Sequence, residues 1–273
     1  MFVDNHSHTS NFSFDGERTG EELVAEALQK NLDRVVLTDH YEKDYPYPEE
    51  TVETFDIEEY FAMIDCWNDI AGGRLELKKG IELGYQPHLR DFYEEFTGCF
   101  TFDCVIASSH LFCGIDPYYS LECFDPIKEK GYADYLNELA DMAERFSSFD
   151  VLGHYDYVAR YAPYPDKRMT YRCAPEAFDR LFRALIDGKK SLEMNTRSIF
   201  HMRNLGCPDY LPDEEVFLRY REMGGYMVTL GSDSHETSTL AKFFDEAVVF
   251  LKACGISHLT TFEKRYPTLI PLE

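Results

Sequence analysis

The sequence has no C-x-x-C pair, no low-complexity segment, no long Gly/Ser linker and no apolar run near the ~18 residues of a membrane span. These absences exclude zinc-ribbon and thioredoxin-type sites, a flexible tether and a transmembrane helix. Basic residues are scarce: 27 Lys+Arg face 50 Asp+Glu, a formal net charge of −23 at pH 7. Gripping a nucleic-acid backbone requires Lys/Arg to displace condensed counterions, so long-range repulsion argues against nucleic acid and anionic membranes as partners. Screening confines fields to ~8 Å at physiological salt. A local basic patch that holds a single small phosphorylated substrate therefore remains open. The N-terminal MFVDNHSHTS has neither a basic n-region nor an apolar h-region. For the eight cysteines (Cys66, Cys99, Cys104, Cys113, Cys123, Cys173, Cys207 and Cys254), reduced thiols in a cytoplasmic protein are the expectation.

What is present is a chain of 273 residues, 44% apolar and 15% aromatic. A chain of this length buries roughly three quarters of its unfolded surface, which is enough for a large core without staples. We read residues 1–273 as a single domain. Short β-branched runs alternate with amphipathic stretches. The expected strands are Phe2–Asn5, Arg34–Thr38, Leu75–Leu83, Phe102–Ala107, Val151–Gly153, Ser191–Met194 and Tyr226–Leu230. The expected helices lie near Glu21–Lys30, Ile57–Ala71, Ala133–Phe146, Pro175–Ile186, Asp213–Met223 and Leu240–Ala253, with a weaker one at Leu89–Phe96. Leu23, Val24, Ala27 and Leu28 show the helical stripe, and Thr19 and Glu22 stand at capping-box spacing ahead of it. Strands alternating with helices predict a parallel α/β sheet, either doubly wound or closed into a barrel.

The polar residues separate these two folds. Strand one runs into Asp4-Asn5-His6-Ser7-His8 and strand two ends in Thr38-Asp39-His40. Strand three ends in Gly80-Ile81-Glu82, and Ser108-Ser109-His110 follows strand four. The last three strands deliver Gly153-His154, Glu193-Met194-Asn195 and Gly231-Ser232-Asp233-Ser234-His235. A His, Glu or Asp after every strand favours a barrel, because barrel enzymes collect their sites at the C-terminal ends of many strands. An open sheet would concentrate its site at one switch point.

Side chains repeat every two residues along a strand, so His6-x-His8 presents two imidazoles on one face, and Asp233-x-His235 does the same with a carboxylate. Such donors suit Zn, Mn or Fe. Each element is weak alone: His110 or His154 by itself would more often be an ordinary core or surface histidine. Their placement after successive strands reverses that weighting. His88, His201 and His258 fall outside the pattern and are read as ordinary residues. One catalytic zinc needs only about three protein ligands. Six strand-end imidazoles plus carboxylates therefore predict two to three divalent metals.

Seven segments carry a resemblance: DNHSHTSNFSFDG at 4–16, LTDH at 37–40, GIELG at 80–84, SSH at 108–110, GHYDYVARY at 153–161, LEMNTRS at 192–198 and GSDSH at 231–235. Together they resemble the PHP (polymerase and histidinol phosphatase) superfamily, and within it the histidinol-phosphate phosphatases. The resemblance implies a distorted (β/α)7 TIM-like barrel around a trinuclear metal cluster. Carried over by position, His6, His8, Glu82 and Asp233 would hold one metal, and Glu82 would bridge to a second held by His110 and His154. Asp15, His40 and His235 would take the third. Glu82, Asp233 and His235 count as catalytic as well, and Asp4 and Asp39 read as groups that orient neighbouring imidazoles. Related amidohydrolases place a modified lysine after strand four, where this chain has His110.

A cluster of this kind supplies hydroxide at neutral pH, since coordination lowers the pKa of water from 15.7 to about 7. Arg160 and Arg197, six residues past His154 and four past Glu193, offer planar forks suited to phosphate oxygens. The expected reaction is hydrolysis of L-histidinol phosphate to L-histidinol and phosphate, in histidine biosynthesis. Tyr41–Tyr47 and Tyr85 are candidates for an aromatic wall against the imidazole. One competing reading is a PHP phosphoesterase acting on nucleotides or phosphotyrosine. Another is a non-catalytic metal-binding protein that retains the barrel.

Overall fold

A computed structural model describes residues 1–47 and 54–272. Seven parallel strand positions form the sheet: β1 (Val3–Ser7), β2 (Arg34–Leu37) with its short continuation β3 (His40–Tyr41), β4 (Glu76–Gly84), β5 (Cys104–Ser108), β6 (Val151–Leu152), β7 (Ser191–Asn195) and β8 (Val228–Gly231). They pair in the order β1-β2-β4-β5-β6-β7-β8, and β3 pairs with β4 so that His40 lies opposite Glu82. The remaining gap is bridged at the top. Asp233 N–H donates to the His6 carbonyl at 2.8 Å, and His8 N–H donates to the Ser234 carbonyl at 3.0 Å. The sheet is thus nearly closed, as the distorted (β/α)7 reading requires.

The helices α1 (Gly20–Gln29), α2 (Ile57–Ala71), α3 (Arg90–Cys99), α4 (Lys128–Arg145), α5 (Pro175–Gly188), α6 (Thr196–Asn204), α7 (Glu214–Glu222) and α8 (Phe244–Ala253) connect the strands. Local chemistry sets several ends. Thr19 and Glu22 form the reciprocal capping box on α1. Asp56 accepts the Glu58 and Glu59 N–H groups on α2, which stops at Gly72 in the left-handed region. Outward-facing strand residues such as Leu77, Ile81 and Leu83 pack with helix residues such as Leu23, Trp67 and Tyr135 in the main core.

Several elements differ from the sequence expectation, among them α4, which begins at Lys128, five residues before the expected Ala133. Helix α6 follows β7 without a loop, with Asn195 as its cap, so His201 sits on a helix. Helix α8 begins four residues later than expected, because Phe243 takes a left-handed backbone (φ 64°) that an α-helix cannot contain. Past α8 an antiparallel hairpin, β9 (His258–Glu263) and β10 (Tyr266–Pro271), was not anticipated at all. Its Phe262 joins Val36, Cys104, Ile106, Val151 and Met227 in a small cluster separate from the main core. These strand residues alternate with outward ones, so the hairpin floors the barrel interior below the polar residues. The cysteines are all free thiols.

Candidate active site

Each strand delivers its polar residue to the mouth for a local reason. On β1 the two-residue period turns both His6 and His8 inward, where they are fully buried. On β4 the same period alternates Lys78, Gly80 and Glu82 with the outward Leu77, Ile81 and Leu83. Asp233 takes a left-handed backbone (φ 49°) just past β8, a conformation that Asp tolerates better than most residues and that clusters at functional sites. Gly231 beside it has no room for a side chain: a Cβ there would lie 2.4 Å from Glu193 Oε1 and 2.5 Å from the His6 Cβ.

Three sets of donor atoms converge. In the first, His6 Nε2 and His8 Nε2 stand 3.3 and 3.5 Å from Glu82 Oε2, and 3.9 and 3.4 Å from Asp233 Oδ1. In the second, Glu82 Oε1 lies 3.4 Å from His110 Nε2 and 2.9 Å from His154 Nε2, and the two nitrogens are 3.3 Å apart. In the third, His40 Nε2 and His235 Nε2 are 3.2 Å apart and reach Asp15 at 3.6 and 3.1 Å. Ligand atoms ~2.0–2.2 Å from one tetrahedral ion stand roughly 3.4 Å apart, so these spacings fit cations. The buried atoms His6 Nε2, His8 Nε2 and Glu82 Oε2 have no hydrogen-bond partner. Orphaned buried polar atoms are costly, and a cation common to them would satisfy all three. Groups that could hold a metal also include His40, Glu42 and His110.

Burial opposes charge throughout this centre, and the neighbours decide each protonation. Against burial, the Glu193, Glu82 and Asp233 carboxylates raise His6 well above its ordinary value, and Glu82 and Asp15 do the same for His40. His110, facing Glu42 and Glu82, is pushed up to about 10 despite its burial. His8 is instead lowered, by burial and then by His235 and His40. Burial also lowers His154, although Glu82 pulls the other way. Burial would raise Glu82 and Asp233, yet His6 and the other cations around them hold both far below the carboxylate range.

A ring of partners fixes the donors. Glu193 Oε1 lies 2.7 Å from His6 Nδ1, which leaves Nε2 for the centre, and its Oε2 accepts the His154 N–H at 2.6 Å. Asp39 acts at one remove: Ser13 Oγ donates to it at 2.8 Å and meets His8 Nδ1 at 3.1 Å. Asp4 corrects the expectation that it orients an imidazole. It accepts the backbone N–H groups of Ser232, His6 and Ala241 and thereby ties β1 to the segment after β8.

Glu42 went unnoticed in the sequence. Its Oε1 lies 2.5 Å from His110 Nδ1, and it fills the space that a Cβ on Gly84 would occupy. The signal was present as His40-x-Glu42, the same two-residue spacing as His6-x-His8.

Beside the donors opens a cavity of about 370 Å³ reached by both arginines. Arg160 is buried and donates to Ser198 Oγ at 3.1 Å, Asn195 Oδ1 at 3.0 Å and Asp233 Oδ2 at 3.1 Å. Arg197 donates through Nη1 to the Asp233 carbonyl at 3.1 Å. The aromatic wall differs from the expected one. Tyr41 stacks on Phe96 and Tyr85 on Phe146, both in the core. Of that group only Tyr45 lines the cavity, joined by Tyr118, Tyr119, Tyr157 and Tyr161. His88 pairs with Asp44 at the surface, His258 bonds its neighbour Ser257, and His201 packs against Tyr161.

Comparison with known proteins places this geometry. Residues 4–197 match the PHP domain family. A histidinol-phosphatase of Lactococcus lactis subsp. lactis is 30% identical over 261 residues, 95% of this chain and 94% of that protein. A "probable histidinol-phosphatase" of Clostridium acetobutylicum is 29% identical over 97% of this chain and 98% of its own length. Among solved structures, the Lactococcus lactis histidinol phosphate phosphatase complexed with zinc, L-histidinol and phosphate superposes with a TM-score of 0.84, at 27% identity and 98% coverage of both chains.

Proposed function

This chain belongs to the PHP domain family, and from that premise we propose that it is a metal-dependent histidinol-phosphatase, hydrolysing L-histidinol phosphate to L-histidinol and phosphate. The reading treats residues 1–273 as one catalytic domain and takes two to three divalent ions of Zn, Mn or Fe. His6, His8, Glu82 and Asp233 would hold one ion, Glu82 with His110 and His154 a second, and Asp15, His40 and His235 a third. Bound there, the ions would neutralise phosphate charge and lower the pKa of water.

The observation that carries this reading is that two arginines share a cavity with His40, His110, His154, Asp233 and His235, while the unpartnered buried atoms of His6, His8 and Glu82 lie against those same donors. A structural ion alone would not call for guanidinium N–H groups turned to an open cavity. Among the described residues, Nη1 of Arg160 and Nη2 of Arg197 donate to no protein acceptor, so each guanidinium keeps an N–H edge for phosphate oxygens. Asp233, Asn195 and Ser198 hold the Arg160 fork in place, and its charge persists at every working pH. Tyrosine side chains line the cavity and give the substrate an aromatic wall.

The test is steady-state kinetics on histidinol phosphate beside nucleotides and phosphotyrosine, with metal content measured on the same sample. Preference for histidinol phosphate and more than one ion per chain are expected. Arg160→Ala should lower kcat/KM by roughly 10²–10³-fold. A metal-loaded protein inactive on every phosphomonoester would refute the reading.

A further inference from the structure

Four carboxylates line the cavity, those of Asp15, Glu42, Asp116 and Asp233. Three of them lie against imidazoles: Asp15 on His235, Glu42 on His110 and Asp233 on His8. Asp116 differs. It is buried, and among the described residues its side-chain partners are all neutral. Tyr157 donates its hydroxyl to Oδ1 at 3.0 Å, the Tyr118 N–H donates to the same atom at 2.8 Å, and the Tyr45 hydroxyl donates to Oδ2. The nearby guanidinium of Arg160 goes instead to Asp233, Asn195 and Ser198. A buried carboxylate pinned by neutral donors lacks a compensating cation. A carboxylate also offers about four lone-pair sites, of which the described residues take three. Asp116 is therefore held rigidly, with acceptor capacity to spare.

Tyr157 relates this carboxylate to the chemistry. Its hydroxyl is on Asp116, and its ring lies 5.4 Å from the Arg160 guanidinium and 5.2 Å from both His110 and His154. One tyrosine ring thus separates a site for a cation from a site for a phosphate. Tyr118 meets Tyr119 and Tyr161 edge-on, at 4.8 and 5.8 Å, on the same wall, and aromatic faces favour an organic cation.

We propose that Asp116 is the residue that selects the substrate, by receiving the protonated amine of a short amino-alkyl phosphate. The inference rests on the phosphomonoesterase reading above and names the group that chooses among phosphomonoesters. Tyr45 and Tyr157 are positioning residues that aim the carboxylate.

The experiment compares L-histidinol phosphate with imidazolylpropyl phosphate, which lacks only the amine. The wild-type protein should prefer the amine by at least about tenfold in kcat/KM, and Asp116→Asn should reduce that preference by roughly 10- to 30-fold, mainly through KM. Equal wild-type rates on the two substrates would overturn the proposal without any variant. So would an unchanged ratio in Asp116→Asn, whether both rates fall or neither does. If the wild type hydrolyses neither compound, the phosphomonoesterase reading fails separately. Calorimetric binding of L-histidinol to metal-loaded wild type and Asp116→Asn then decides: at least about tenfold weaker binding supports the proposal, and equal binding or none overturns it.

Discussion

The two ends of the barrel use the same strands for opposite purposes. At the mouth, β1, β3, β4 and the segments after β3, β5, β6 and β8 bury imidazoles and carboxylates at mutual distances of 2.5–3.9 Å, with several polar atoms unpartnered. At the floor, the same sheet carries Val36, Cys104, Ile106 and Val151, sealed by Phe262 from the hairpin. Burying unpaired charge destabilises a fold, whereas burying aromatic and aliphatic area stabilises it. The costly burial and the favourable burial thus lie on the same strands. The division matches the general pattern of barrels, in which the top face is catalytic and the bottom face structural.

The largest expected effect lies at the mouth. Among the described residues, Glu82→Gln removes the only carboxylate that meets ring nitrogens of both the His6–His8 pair and the His110–His154 pair. Losing several kcal/mol of charge stabilisation would lower kcat/KM by about 10³-fold or more. Metal content per chain should fall as well, as elemental analysis of the same preparation would show. Full activity with full metal content would mean that Glu82 bridges nothing. At the floor, Phe262→Ala should do the reverse. It should lower unfolding free energy by about 3–5 kcal/mol in urea, while kcat per folded molecule holds. A comparable loss of kcat would show that the two ends are mechanically coupled, and the division drawn above would fail.

The sequence exposed the mouth far better than the floor, for physical reasons. Polar residues directly after apolar β-branched runs are conspicuous, so the strand ends and their His, Glu and Asp were legible. Helix α2 was legible to the residue because its cap Asp56 and stop Gly72 act locally. The hairpin carried no such signal. Its two-residue turn, Lys264-Arg265, has φ 48° and 66°, where Asn-Gly or Asp-Gly is the usual choice. Long-range bonds hold it instead: Asp103 accepts the Lys264 N–H at 3.0 Å, and the Arg265 guanidinium reaches Asp150 at 3.0 Å. Asp116 was hidden for a related reason. Its partners Tyr45 and Tyr157 stand 71 and 41 residues away.

A smaller effect separates the donors from their supports. Glu193 touches His6 and the His154 backbone but is absent from all three donor sets. Glu193→Gln keeps the shape and removes the charge that biases His6. Changes to groups that orient metal ligands typically cost about 10–100-fold in affinity or activity, and metal titration against a competing chelator would measure it. An effect as large as that of Glu82→Gln would place Glu193 among the donors themselves.

The smallest effect has the opposite sign and sits at the floor. Lys264 holds a left-handed backbone that costs most side chains roughly 1 kcal/mol, and only its N–H is used, on Asp103. Asn tolerates that conformation and keeps the N–H. Lys264→Asn should therefore raise stability by about 0.5 kcal/mol, read as a higher urea midpoint at unchanged slope, with no change in turnover. No shift in the midpoint would mean that Asp103 imposes the turn whatever the local preference, and that the hairpin belongs to the barrel more than to its own sequence. A gain in stability accompanied by slower turnover would instead show that strain at the floor is transmitted to the mouth, which the packed cluster around Phe262 is expected to prevent.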